Sequence, residues 1–171
     1  MNKWEIAQIF YEIADLLDIL GENPFKARAY RKAAHVLEST LLDIAELSAE
    51  GRLQEVPGIG DALAKKIKEL VETGRLNYYE DLKKKIPPST RQLLMIPGVG
   101  VKTARLLFRE LNITSLEELK EAAREQRLQG LPGIGEKTKE AILQGLKELV
   151  GERPKWLLNF ALRQRMKSLP F

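Results

Sequence analysis

Most of the residue types on which enzyme sites are built are scarce in this chain of 171 residues. It has no cysteine and a single histidine, His35. Without thiols there are no disulfides, thiolate metal sites or cysteine nucleophiles, which suits a reducing interior. One isolated histidine does not make a metal centre, and His35 reads as a helix-surface or half-buried residue. No Asp-x-Asp pair occurs, so the paired carboxylates that hold two metals for nucleotidyl transfer are missing. Asp15 and Asp18 read as solvated surface of a first helix, and Glu80-Asp81 as a helix start. No apolar run approaches the roughly 20 residues of a membrane span. The N-terminus MNKWEIAQIFYEIADLLDIL lacks the basic-then-apolar-then-small order of a signal peptide. No segment alternates with the two-residue period of a strand. Together these absences predict a cytoplasmic all-α protein with no membrane segment.

What is present is a charged, moderately apolar chain. Hydrophobic residues make up 44% and charged residues 30%, a globular balance. The net charge of +4 is only a modest pointer to an anionic partner. Ile6, Ile9, Phe10, Ile13, Leu16, Leu17 and Leu20 recur at spacings of three and four, one face of a helix ending at Gly21. Pro24 opens a second helix, with Phe25, Ala29, Ala33, Val36 and Leu37 expected inward. A short helix follows over Ile44 to Leu47. Further helices cover YYEDLKKKIPPSTRQLLM and SLEELKEAARE, the latter capped by Thr114 or Ser115.

Between these helices one turn comes back three times. EVPGIGDAL, MIPGVGVKT and GLPGIGEKT each run apolar-Pro-Gly-apolar-Gly into a basic helical pattern. The first and third lie 75 residues apart and the second divides that interval 40 and 35, which is reuse of a unit rather than a solenoid repeat. Proline fixes one φ, and glycine permits positive φ and close approach of another molecule. The helix that follows starts with unpaired amides and the positive end of its dipole, a phosphate site that needs no basic side chain. Lys65 and Lys66, Lys102, and Lys137 and Lys139 add charge. A nucleotide-binding loop is a poor fit, because the GxxxxGK[ST] spacing and a preceding strand are both lacking. Contacts of this kind favour the sugar–phosphate backbone, with affinity sensitive to salt and nearly blind to sequence.

VPGIGDALAKKI, IPGVGVKTARLL and LPGIGEKTKEAI resemble helix-hairpin-helix motifs, which grip DNA phosphates through hairpin amides. The resemblance implies DNA contacts at Gly58, Gly60, Gly98, Gly100, Gly133 and Gly135. It also implies a sodium or potassium ion held by the carbonyls of Gln54, Val56 and Ile59, and of Leu94, Ile96 and Val99. No other cofactor is expected. The third motif departs at Lys139, where the first two have Ala64 and Ala104.

From residue 3 to 150 the chain is similar to the N-terminal half of bacterial family X (polymerase beta-like) DNA polymerases, through FKARAYRKAAHVL, VPGIGDALAKKIKELVETGRLNYYEDL and IPPSTRQLLMIPGVGVKTARLLFRELNITSLEELKEA. That half joins a lyase-type helical domain to a helix-hairpin-helix region. The resemblance implies that Lys66 is the lysine that attacks the C1′ aldehyde of an abasic sugar. It places Lys26 and Tyr30 at the 5′-phosphate; Arg31, Lys32 and Lys65 are neighbouring cations, and Arg31 and Lys65 are also expected to contact DNA phosphates. A phosphate-binding lysine of the family is Ala62 here, a glutamate is Lys65, and a further basic position is Tyr78. Tyr78 and Tyr79 either stack on a base or pack in the core.

A break within 80–90, where KKKIPPST joins a lysine run to Pro-Pro, gives segments 1–82, 83–150 and 151–171. The last, RPKWLLNFALRQRMKSLPF, is a basic amphipathic tail that packs on the body, binds a repair protein, or leads to an absent domain. Three functions stay open: sequence-independent binding of gapped, nicked or 5′-phosphorylated DNA in repair; abasic-site or 5′-deoxyribose-phosphate lyase action through Lys66; and a protein adaptor whose turns serve packing alone.

Overall fold

The computed structural model describes residues 1–151, and among these all regular structure is helical. The expected tail, 151–171, lies outside the described residues except for its first residue.

Helix α1 (Lys3–Leu20) begins in a capping box: the Asn2 side chain accepts the Glu5 amide, and the Glu5 carboxylate accepts the Asn2 amide. It ends where Gly21 turns left-handed. Its apolar face buries Ile6, Phe10, Ile13, Leu16 and Leu17, with Ile19 beside them. Ile9 and Leu20 are half-buried. Helix α2 (Pro24–Ser39), capped by Asn23, packs antiparallel to α1 through Ala27, Tyr30, Ala33, Ala34 and Leu37. Two residues expected inward are not: Phe25 is 71% exposed, and Ala29 is exposed as well. Each lies two residues from Ala27, about 200° round the helix, on the face opposite the Ala27–Tyr30–Leu37 stripe.

Asp43 caps the short α3 (Ile44–Ala49), and a single 3-10 turn at Leu53–Glu55 leads into the first Pro-Gly turn. Helix α4 (Asp61–Thr73) follows and stops at Gly74, again left-handed. Helix α5 (Asn77–Lys85) is tied to α1 by the Tyr79 hydroxyl, which donates to the Glu12 carboxylate. Contacts divide the chain between Pro87 and Pro88. The lysine run is therefore not linker but the last turn of α5, where cations suit the negative end of the dipole.

The second unit repeats the plan. Helix α6 (Pro88–Gln92) and a 3-10 turn at Leu93–Met95 enter the second Pro-Gly turn. Helix α7 (Val101–Leu111) leaves it and ends at a left-handed Asn112. Ser115 caps α8 (Leu116–Arg124) by accepting the Glu118 amide, while Glu118 accepts the Thr114 amide and hydroxyl. These bonds hold the Glu118 carboxyl below its ordinary value. The third turn then opens α9 (Glu136–Gly151). Buried Thr90 fastens α6 to this unit by donating to the Thr114 carbonyl at 3.3 Å.

Candidate nucleic-acid interface

The three turns are one structure built three times. Gly58, Gly98 and Gly133 have φ of +90°, +87° and +91°. Each turn is closed by the next residue's amide: Ile59 donates to the Val56 carbonyl at 3.0 Å, Val99 to Ile96 at 3.0 Å, and Ile134 to Leu131 at 3.1 Å. Ile59, Val99 and Ile134 are buried and pin the turn to its unit. The first glycine of each pair is thus demanded by the backbone, since L side chains rarely adopt such φ.

The second glycine is not. Gly60 and Gly100 are extended, at φ −84° and −89°, and Gly135 is not among the positive-φ residues. A Cβ built on any of the three would meet nothing within 4 Å. Among the described residues neither conformation nor packing calls for glycine there, in three turns out of three. Gly60 and Gly100 are helix N-caps without a side-chain hydrogen bond, so the amides of the first helical turn lack the acceptor that a serine or aspartate would supply. An open cap, unpaired amides and a helix dipole converge at the same point. The turns differ in their first helical residue. Asp61 and Glu136 set a carboxylate beside the amides, whereas Val101 leaves the second turn free of one.

Around the first turn the predicted residues fall into two groups. Lys26, Tyr30 and Lys66 come together on Tyr78. The Lys26 and Lys66 ammonium groups stand 5.3 and 5.0 Å from the Tyr78 ring centre. Tyr78 in turn stacks on Tyr30 at 6.1 Å, and Tyr30 meets the edge of Phe10 at 5.2 Å. Burial, then the neighbouring Tyr78 phenol, push the Tyr30 hydroxyl well above its ordinary value. The Tyr78 hydroxyl is buried and meets no hydrogen-bond partner among the described residues. Tyr78, where the family pattern has a base, is therefore the platform of this cluster, and its ring is taken by lysines and Tyr30 rather than open to stack on a base. Tyr79 is likewise occupied, with Lys83 4.3 Å over its ring and its hydroxyl on Glu12.

Arg31 belongs to the second group. Its guanidinium is held by Asp15 at 2.8 Å and Asp18 at 2.7 Å, all three half-buried. The two acids are not plain solvated surface but a clamp, and they neutralise the charge expected to face a phosphate. Burial pushes the Asp15 carboxyl up despite the guanidinium. Lys65 is exposed and apart from Tyr78's ring cations. Lys32 instead reaches the first turn, its Cε 3.6 Å from where a Gly58 Cβ would stand.

In the second unit Lys102 is exposed on α7, with Arg105 and Arg109 at the spacing of one helical face. With Leu106, Pro132 and Gly133 they line a groove of about 500 Å³. The two arginines were legible at i, i+3 and i+7 from Lys102 but stand outside the turn motif. Lys137 is exposed and Lys139 half-buried. Among the described residues no three His, Cys, Asp or Glu converge as for a bound metal ion. No described helix is long and apolar enough to cross a membrane.

These features define a helix-hairpin-helix protein. Residues 1–76 match the helix-hairpin-helix domain and residues 90–148 the SAM-like helix-hairpin-helix tandem. Within that class the chain is similar to family X polymerases. It is 37% identical over 163 residues, 95% of its length, to DNA polymerase/3′-5′ exonuclease PolX of Bacillus subtilis (strain 168). It is 33% identical over 116 residues, 67% of its length, to DNA polymerase lambda of Arabidopsis thaliana. A shorter stretch of 58 residues, 34% of the chain, is 41% identical to the Holliday junction branch migration complex subunit RuvA of Azobacteroides pseudotrichonymphae genomovar. CFP2. The chain spans 28%, 21% and 30% of the lengths of these three relatives.

Proposed function

We propose that this chain binds DNA through its sugar–phosphate backbone, without reading sequence, and serves repair or recombination at gapped, nicked or 5′-phosphorylated sites. The observation that carries the reading is the second glycine of each turn, which nothing among the described residues requires and which keeps a row of amides open to an approaching anion. Lys32, Lys102 and Lys137 add charge around these amides. The names of the relatives, polymerases and a Holliday junction subunit, point to the same class of partner. The backbone carbonyls of Gln54, Val56 and Ile59, and of Leu94, Ile96 and Val99, form oxygen-only donor sets suited to a sodium or potassium ion. Val56 and Ile96 each accept one amide within the turn and retain a second lone pair for such an ion.

The test is fluorescence anisotropy on duplexes of unrelated sequence, intact, nicked and gapped. Affinity should be nearly equal among sequences and fall steeply with salt. Gly100→Ser should weaken binding by about ten-fold, because a serine hydroxyl caps the amides that the phosphate needs. Binding that ignores salt, or that survives serine at all three second glycines, sinks the reading.

A second reading is favoured by the Lys26–Tyr78–Lys66 cluster: lyase action on an abasic sugar. The Lys66 amine would add to the C1′ aldehyde and lose water to give an imine. The C2′ proton then leaves as the C3′–O bond breaks, freeing the phosphate-terminated strand, and water hydrolyses the imine to restore the lysine. Borohydride on 5′-deoxyribose-phosphate DNA should trap a covalent adduct that Lys66→Ala abolishes. No adduct under conditions where that DNA binds would exclude it.

A further inference from the structure

The two hairpins of the second unit grip each other by matching positions. Eight residues after Gly98 stands Leu106, and eight after Gly133 stands Ala141. A Cβ on Gly98 would collide with Ala141, and one on Gly133 would come within 2.9 Å of the Leu106 Cδ1. Each turn is thus seated on the other hairpin's second helix, at the same register, as a pseudo-two-fold pair.

The pair is not symmetric in what surrounds these contacts. On one side α9 presses close to the second turn, where a Cβ on Gly145 would lie 2.6 Å from the Ile96 Cγ2 and 3.1 Å from the Pro97 carbonyl oxygen. Its surface there carries Glu140 and Gln144. On the other side a groove of about 500 Å³ lies beside the Leu106–Gly133 contact, lined by α7 and the third turn. At the register of Glu140 and Gln144, α7 carries Arg105 and Arg109. Neither Lys102 nor Arg105 forms an ion pair among the described residues, although Glu110 also lines the groove.

From this broken symmetry we infer that the groove between α7 and the third turn is a binding site for single-stranded nucleic acid. Its volume is that of a small-ligand pocket, roughly 300–1,000 Å³, so it admits a nucleotide or two and not a duplex. Lys102 and Arg105 meet the phosphates along one rim, and Leu106 and Pro132 give an apolar floor for sugar and base. A strand gap or overhang would supply such a segment next to the duplex held by the turns. The inference rests on the backbone-binding reading above, and adds a preference to it.

The experiment measures binding of the full chain to a single-stranded 20-mer and to a blunt duplex, across a salt series. Arg105 is exposed, so Arg105→Glu should fold normally, as circular dichroism would verify. It should weaken single-strand binding about ten-fold and lower its salt slope by about one, against a duplex loss of less than about two-fold. Glu110→Gln should tighten single-strand binding about two-fold by removing a carboxylate from the groove's described lining. Equal losses on single strand and duplex, or no loss on either, overturn the single-strand site. Wild-type duplex binding without single-strand binding also overturns the site while leaving the backbone reading intact. Wild-type chain that binds neither single strand nor duplex overturns the two together.

Discussion

The first hairpin and the tandem pair start from nearly the same sequence and reach different ends. In all three, the residue eight positions after the turn's first glycine lies on the second helix, next to a buried one: Ile67, Leu107 or Ile142. In the tandem that position is Leu106 or Ala141, and it is spent on the partner turn. The first hairpin has α2 against its turn instead, through Lys32 and Val36 at ordinary contact distances of 3.6 and 3.7 Å from a Gly58 Cβ. The matching position is then free to be Lys66, lying over Tyr78 beside Lys26. A hairpin without a twin has a side chain to spare, and here it is a lysine in a half-enclosed basic cluster.

The largest effect that would break this contrast lies at the first glycines. Gly98→Ala meets both a φ of +87° and a collision with Ala141. Left-handed strain of about 1–2 kcal/mol and overpacking of about 1–3 kcal/mol combine to roughly 3 kcal/mol or more. Gly58→Ala meets the same φ but only ordinary contacts, so about 1–2 kcal/mol is expected. Urea unfolding of the two variants would measure the difference. Adding Ala141→Gly to Gly98→Ala should recover about 1 kcal/mol, as a coupled pair does, and the same change beside Gly58→Ala should recover nothing. Equal costs at Gly58 and Gly98 would mean that the hairpins are not differently packed.

Exchanging the residues at the matched position comes next in size. Leu106→Lys removes an apolar contact with the third turn and should destabilise by about 2 kcal/mol. Lys66→Leu gives up only ring–cation contact, worth about 0.5–1 kcal/mol, and regains part of it by burial, so its unfolding midpoint should hardly move. It should still abolish any borohydride-trapped adduct. A large loss of stability in Lys66→Leu would make the lysine a packing residue.

The turns and their helices were legible because Pro, Gly and the three-and-four spacing act over a few residues. Gly21, Gly74 and Asn112 stop helices where the apolar pattern runs out. Phe25 was misread because an aromatic in a helix looks like core, and only the stripe through Ala27, Tyr30 and Leu37 decides the face. Arg31 was read as a phosphate ligand because its charge is visible in sequence and its partners are not. Asp15 and Asp18 lie sixteen and thirteen residues away and meet it only when α1 packs on α2. The asymmetry of the tandem was hidden for the same reason. Gly98, Gly133 and Gly145 look alike until each is seen against its neighbour.

The smallest predicted effect is the one in which the two regions should agree. Gly60 and Gly100 share an extended backbone, an open surrounding and an uncapped helix. A serine fits that conformation and would accept one of the orphan amides. Relative to glycine it should stabilise by only a few tenths of a kcal/mol. Gly60→Ser and Gly100→Ser should therefore raise the unfolding midpoint slightly and by the same amount, although alanine at the glycines two residues earlier separates the same hairpins by more than 1 kcal/mol. The rise matters for its sign. A glycine that holds its place against local stability is explained by what approaches it from outside, and a fall in stability at both positions would return these glycines to the fold itself.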